Sequence, residues 1–180
     1  MASVRDIAVE WRLFSLALAN APDGDDPLTA DGRGVAALRT LALVGRERGN
    51  EAVDRLYRAL GERVHERHEE LDEGCVRAAL GDAGLDAGLL DHAVGDPVTV
   101  DEVRSQHLAA VEQIGAFGVP SIILPSGRGI FGPVVAVAPT GEAAGELWDR
   151  VRWLIEMDGF FELKRNRDRK AGASRPPDPT

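Results

Sequence analysis

The chain has 180 residues, enough for one domain or for a core with an inserted subdomain. Hydrophobic residues make up 44% and charged residues 28%, an ordinary balance for a soluble globular protein. Net charge is −9, with +4 on Lys164–Thr180 and −13 on the rest, so an acidic body argues against a nucleic-acid-binding surface and the basic tail reads as solvated.

Met1-Ala-Ser-Val-Arg-Asp lacks the apolar stretch of a secretory signal, and no apolar run reaches membrane-spanning length, so a soluble, cytoplasmic protein with no membrane partner is expected. Ile7, Val9, Trp11 and Leu13 alternate with Ala8, Glu10 and Arg12, a period of two that predicts a strand over 6–14. The Asp-, Gly- and Pro-rich segment from Asn20 to Gly34 predicts a loop. A run of helices then follows over 31–94. Asp31 is placed to cap the first, with Val35, Leu38, Leu41 and Ala42 on one face, and Asn50 to cap the second, with Val53, Leu56, Tyr57 and Leu60. Asp72 is placed to cap the third, with Val76, Ala79 and Leu80, stopped by Gly84; a short fourth runs through Leu89 and Leu90 to Gly95.

Thr99 and Glu102 have the spacing of a capping box, and the helix they start carries Val100, Val103, His107, Val111 and Ile114 in a stripe that ends near Gly115–Gly118. Ser121–Leu124 predicts a strand, Pro125-Ser-Gly-Arg-Gly a turn, and Ile130-Phe131 the centre of a second strand. A last helix over about 141–158 places Ala144, Leu147, Trp148, Val151 and Ile155 on one stripe. Beyond Arg165 the composition turns polar and Pro-rich, the signature of a disordered tail.

Several short motifs stand in order along the chain: Val4-Arg-Asp-Ile7, Ser15-Leu16-Ala17, His68 with Glu70-Leu71-Asp72, Gly118-Val-Pro120, and Phe131-Gly-Pro-Val134. Gly141-Glu142 with Leu147-Trp148-Asp149 and Phe161-Glu-Leu-Lys-Arg165 complete the set. In that order and spacing, over roughly residues 4–167, the chain resembles the DsbA-like thioredoxin superfamily, and within it the actinobacterial mycothiol-dependent nitroreductases. The resemblance implies an α/β, thioredoxin-like (DsbA-type) core over 1–30 and 96–163, a helical insertion over 31–95 and a tail over 164–180. It implies a cis Val119–Pro120 peptide whose Val119 backbone pairs with a substrate, with His68 and Phe131 beside the same cleft. It implies reduction of disulfides or nitro-aromatics with mycothiol as co-substrate, no tightly bound cofactor, and a possible homodimer.

The family's Cys-Pro-Trp-Cys motif has no counterpart, because the only cysteine is Cys75; no residue of the chain is therefore assigned a catalytic role. The first strand and helix of the fold are missing from the alignment as well, which leaves two strand edges without partners. Three readings follow: a natural protein that starts further upstream, a truncated relative that pairs its edges with another subunit, or a sheet in which 6–14 pairs directly with 121–124. The first two are favoured equally. The function expected is that of a mycothiol-dependent oxidoreductase homologue without its redox cysteine pair. The alternative is a non-catalytic thioredoxin-like module that binds a partner or itself.

Other features read as structural. Cys75 in the first turn of a helix has donors that favour a thiolate, but beside Val76 and Ala79 it reads as a small buried residue. His65, Glu66, His68 and Glu69 lack a third metal ligand and read as a solvated helix end. Gly127-Arg-Gly129-Ile-Phe-Gly132 has the letters of a dinucleotide fingerprint but is followed by Pro133 rather than a helix, so it reads as a hairpin turn. Trp148 reads as core, and Phe160-Phe161 as a staple that holds the last helix down.

Overall fold

The computed structural model describes residues 4–22, 25–28, 32 and 34–166. The chain divides into two compact units, Glu10–Ala110 and a second made of Met1–Val9 with Val111–Thr180. The first unit is wider than the 31–95 insertion expected, because Trp11, Leu13, Leu18, Leu28 and Val103 all pack with its helices.

The helical unit contains α1 (Leu16–Ala19), α2 (Val35–Arg48), α3 (Asn50–Gly61), α4 (Glu73–Asp82), α5 (Leu89–Gly95) and most of α6 (Val98–Ile114). Its middle is α2, which packs against α3, α4 and α5. That position explains why α2 buries residues on several faces, with Leu41, Leu43 and Val44 buried and the buried Thr40 hydroxyl donating to the Ala36 carbonyl. In α3, Val53, Leu56 and Leu60 recur at helical spacing and turn into the same core, where Leu28, Leu56, Leu80 and Leu90 are fully enclosed.

Asp72 caps α4 as expected, its Oδ1 accepting the Cys75 N–H at 2.8 Å. The other caps differ. Asp31 lies outside the described residues. Gly49, at φ +80°, precedes α3, and the Asn50 side chain reaches out of the helix to accept the Trp11 N–H at 2.8 Å. The Thr99–Glu102 box is not formed: α6 begins a residue earlier, with Asp96 Oδ1 accepting the Val98 N–H. Thr99 Oγ1 turns to the Ala93 and Asp96 carbonyls and accepts from Arg39 Nε–H, while Glu102 pairs with Arg46 at 3.0 Å. Two arginines of α2 thus redirect both halves of the box.

The strand expected over 6–14 is absent. The two N–H groups that a ladder would use at Trp11 and Leu13 are bound instead by side-chain amides, Asn50 Oδ1 and Gln106 Oε1 at 2.7 Å for Leu13. The alternation survives as burial only at its end, with Leu13 in the core and Trp11 half-buried against Tyr57 at 4.7 Å between ring centroids, whereas Val9 is exposed. The reading in which 6–14 closes onto 121–124 therefore falls.

The second unit holds β1 (Ser121–Ile123), β2 (Gly129–Phe131) and α7 (Gly141–Glu156). The strands form an antiparallel pair in the register Ser121↔Phe131, Ile122↔Ile130, Ile123↔Gly129, the only sheet among the described residues. The Gly-rich letters are a hairpin turn, as expected. Gly129 is required there by close approach, since a Cβ would lie 2.5 Å from the Ile122 carbonyl oxygen. The core of this unit is small: Leu124, Val151 and Ile155, with Ile122, Ile130, Leu147 and Trp148 against them. Arg5 ties the N-terminal segment to α7 through Glu142 and Asp149, both at hydrogen-bond distance, and its guanidinium lies over Gly145. Phe160 is half-buried, but Phe161 is 87% exposed and staples nothing. Among the described residues no helix is long and apolar enough to cross a membrane.

Candidate functional site

Helix α6 stops at Gly115, which takes φ +62°, a backbone region that glycine reaches without strain. The next residues alternate between the interior and the surface: Ala116 is buried, Phe117 exposed, Gly118 buried, Val119 and Pro120 exposed. The Val119–Pro120 peptide is cis, as is Gly132–Pro133. The loop is tied at both ends. Ser121 Oγ donates to the Gly118 carbonyl at 2.8 Å, and the Pro120 carbonyl accepts the Gly132 N–H at 2.8 Å. Phe131 occupies the space beside Gly118, with a ring carbon 3.1 Å from where a Cβ would be, so a side chain at 118 would have to displace the ring.

Hydrogen bonds from Gly132 to Pro120 and from Leu124 to Arg128 place the even-numbered residues of β1 against β2. By the alternation of an antiparallel ladder, the backbone groups of Ser121 and Ile123 turn to the opposite edge, which carries no third strand among the described residues. The site is therefore an exposed proline loop at the head of a strand with one open edge. Val119, Pro120 and Phe131, chosen from the sequence, come together here.

His68 belongs to the helical unit. It is exposed and has φ +58°, the one left-handed non-glycine among the described residues. It follows a π-type turn over Glu62–Glu66, and the Glu69 N–H closes back on the Arg63 carbonyl at 3.0 Å. Arg63 locks this turn by pairing with Glu69 at 2.9 Å and Asp82 at 2.8 Å. A bulky residue held in the left-handed region marks a turn that its surroundings over-determine. Among the described residues no group of three His, Cys, Asp or Glu side chains is placed to hold a metal ion.

Cys75 is 5% exposed, and burial, with Glu69 nearby, pushes its thiol up from the ordinary value. A thiol so placed is a poor nucleophile. Within the helical unit, a cavity of about 270 Å³ is bordered by Trp11, Leu13, Arg46, Glu102 and Gln106. Its charged wall is already internally paired, Arg46 with both Glu102 and Asp96.

Sequence reasoning did not single out Phe117, which stacks on Phe131 with ring centroids 4.8 Å apart and planes 32° apart. The signal was present: a large aromatic flanked by Ala116 and Gly118 has little neighbouring bulk to cover it.

A proline loop heading an open strand defines a class of site rather than an activity. Comparison with known proteins supplies the family: the chain belongs to the Rv2466c-like family, described as mycothiol-dependent nitroreductase Rv2466c, whose model matches residues 1–165. It is also similar to the Mycobacterium tuberculosis protein Rv2286c, described as uncharacterized, with 34% identity over 161 residues, 88% of this chain and 69% of that protein. Membership supports a mycothiol-dependent, reductase-type function in general terms.

Proposed function

We propose that the chain is a thioredoxin-like, DsbA-type member of this family, and that the Val119–Pro120 loop, backed by Phe131, receives a low-molecular-weight thiol or its disulfide. The observation that carries the reading is the exposed Gly118–Pro120 loop at the head of a strand whose outer backbone edge is open, in a chain of a mycothiol-dependent family. The order α6, hairpin, α7 supports a thioredoxin-like arrangement.

The residues fit a thiol as co-substrate better than a thiol of their own. Cys75 is buried and its thiolate disfavoured, so the chain's contribution is to bind and orient. The Val119 backbone and the outer edge of β1 offer donors and acceptors to an extended substituent, and Pro120 with Phe131 forms an apolar wall beside the sulfur. Mycothiol, when bound, supplies the reducing thiol.

The burial of Cys75 also favours a second reading, a non-catalytic thioredoxin-like module that binds a partner or forms a homodimer through its open edge. The 180-residue chain is to be mixed with mycothiol disulfide while amide NMR shifts are followed, and then assayed for turnover with mycothiol and a nitro acceptor. Shifts centred on Val119 and Ser121 are expected. Binding without turnover supports the module, and shifts elsewhere sink the site. Turnover abolished by Cys75→Ser would transfer the chemistry to that residue.

A further inference from the structure

We propose that the cavity of the helical unit is a binding site for one neutral, hydroxylated six-membered ring, a pyranose sugar. The inference stands apart from the proline loop, because every residue it uses lies within Glu10–Ala110.

Three segments of that unit meet at the cavity: the chain at Trp11 and Leu13, α2 at Leu41 and Arg46, and α6 at Glu102 and Gln106. Its volume is about 270 Å³. At about 30 Å³ for each water, that is the space of roughly nine waters, enough for one substituted ring and too little for two.

Charge narrows the ligand. The charged residues on the wall are Arg46 and Glu102, and they cancel, with Glu102 Oε2 enclosed against Arg46 Nη1 at 3.0 Å. A cation would be set against the guanidinium and an anion against the carboxylate, so the space favours a neutral molecule. Hydrogen-bonding capacity narrows it further. Gln106 uses Oε1 to accept the Leu13 N–H at 2.7 Å, which fixes the amide and leaves Nε2 without a partner among the described residues. Glu102 Oε1 likewise makes no hydrogen bond among the described residues. One donor and one acceptor are left over, one helical turn apart on α6, about 5–6 Å between Cβ atoms. A hydroxyl both donates and accepts, and two hydroxyls on opposite sides of a six-membered ring span such a gap. The donor and acceptor on the edge of a nucleobase stand much closer together.

Trp11 supplies the apolar wall. Its backbone N–H is held by Asn50 Oδ1 at 2.8 Å, its indole N–H by Asp54 Oδ1 at 2.9 Å, and its ring leans on Tyr57. An indole fixed in this way loses little freedom when a ligand packs on it. A pyranose with equatorial hydroxyls is apolar on its two faces and polar round its edge. An indole with an amide and a carboxylate beside it complements that pattern.

The test is an NMR titration of the 180-residue chain with methyl β-D-glucopyranoside, beside cyclohexanol and glucosamine, repeated on Gln106→Glu and Trp11→Leu. Gln106→Glu keeps an acceptor for the Leu13 N–H and replaces the free donor by an acceptor. Saturable shifts at Trp11, Leu13 and Gln106 are expected with the glucoside, weakened by about 3- to 10-fold in Gln106→Glu and at least as much in Trp11→Leu. Cyclohexanol and glucosamine should both bind more weakly. The absence of saturable shifts at these residues overturns the proposal, as does an unchanged affinity in Gln106→Glu. Equal binding of cyclohexanol would make the cavity an apolar cleft with no hydroxyl recognition, and tighter binding of glucosamine would make it a cation site; either result overturns the proposal. If Trp11→Leu disturbs the fold, Gln106→Glu remains decisive, since an unshifted Leu13 amide in its free spectrum shows that the segment is still held.

Discussion

Residues Glu10–Ala110 enclose four fully buried leucines, Leu28, Leu56, Leu80 and Leu90, inside a layer of packed helices. In the hairpin unit the buried apolar cluster is Leu124, Val151 and Ile155, while Phe117, Val119, Trp153, Phe161 and Leu163 remain exposed. A two-stranded hairpin with one helix has few faces on which to hide apolar side chains, whereas several helices around α2 have many. The difference divides the labour. The helical unit is held by its own burial, and the hairpin unit presents its apolar residues and a strand edge where a ligand can use them.

The largest effect is expected in the helical core. Leu56→Ala removes a side chain with no exposed surface and should cost about 2–5 kcal/mol by transfer and cavity terms, read as a fall in the urea midpoint. A loss under about 1 kcal/mol would show that this core is looser than its burial suggests.

Gly129→Ala should cost about 1–3 kcal/mol, since the new Cβ meets the Ile122 carbonyl oxygen and Ile114 and the hairpin must open to admit it. Hydrogen exchange sharpens the comparison. The amides of β1 and β2 should lose protection while those of α3 keep theirs. Equal loss in both places would mean that the two units do not respond separately.

Gln106→Ala leaves the Leu13 N–H without its acceptor, a cost of about 1–2 kcal/mol, with faster exchange of the Leu13 amide as the specific readout. No change at Leu13 would mean that the side-chain amide is not what holds this segment.

The smallest effect is a pH dependence. His107 is buried on α6 with its ring 4.4 Å from that of Phe14, and burial holds its pKa below the ordinary value. The unfolded chain then takes up a proton more readily than the folded one. This contribution to stability is complete above about pH 6.5 and declines as the pH falls through the lowered folded value. Urea midpoints at pH 7.5 and 5.5 should differ more for the wild type than for His107→Leu, and equal differences would remove His107 from the explanation.

Short-range signals in the sequence carried far. Asp72 at the head of α4, the end of α6 at Gly115, the Pro125–Gly129 turn and the stripe of α7 all depend on residues a few positions apart, and each stands in the structure. Val119, Pro120 and Phe131 were selected through the family resemblance, and the short hairpin that joins them brings them near one another. His68 was selected through a family resemblance, and nothing in its neighbours along the chain announced a left-handed backbone locked by Arg63.

What required the tertiary structure was the choice of partner. Alternating apolar residues over 6–14 establish an extended chain, but a strand also needs a neighbour, and here Asn50 and Gln106 supply side-chain amides instead. Thr99 and Glu102 have the right spacing for a capping box, yet Arg39 and Arg46, far away in sequence, draw them elsewhere. The contact between Phe117 and Phe131 likewise joins residues fourteen positions apart and belongs to the folded hairpin. Local backbone preference acts over one or two turns and can be read from adjacent letters. Hydrogen-bond partners, ion pairs and ring contacts between distant segments are settled by competition among all the groups that the folded chain brings within reach.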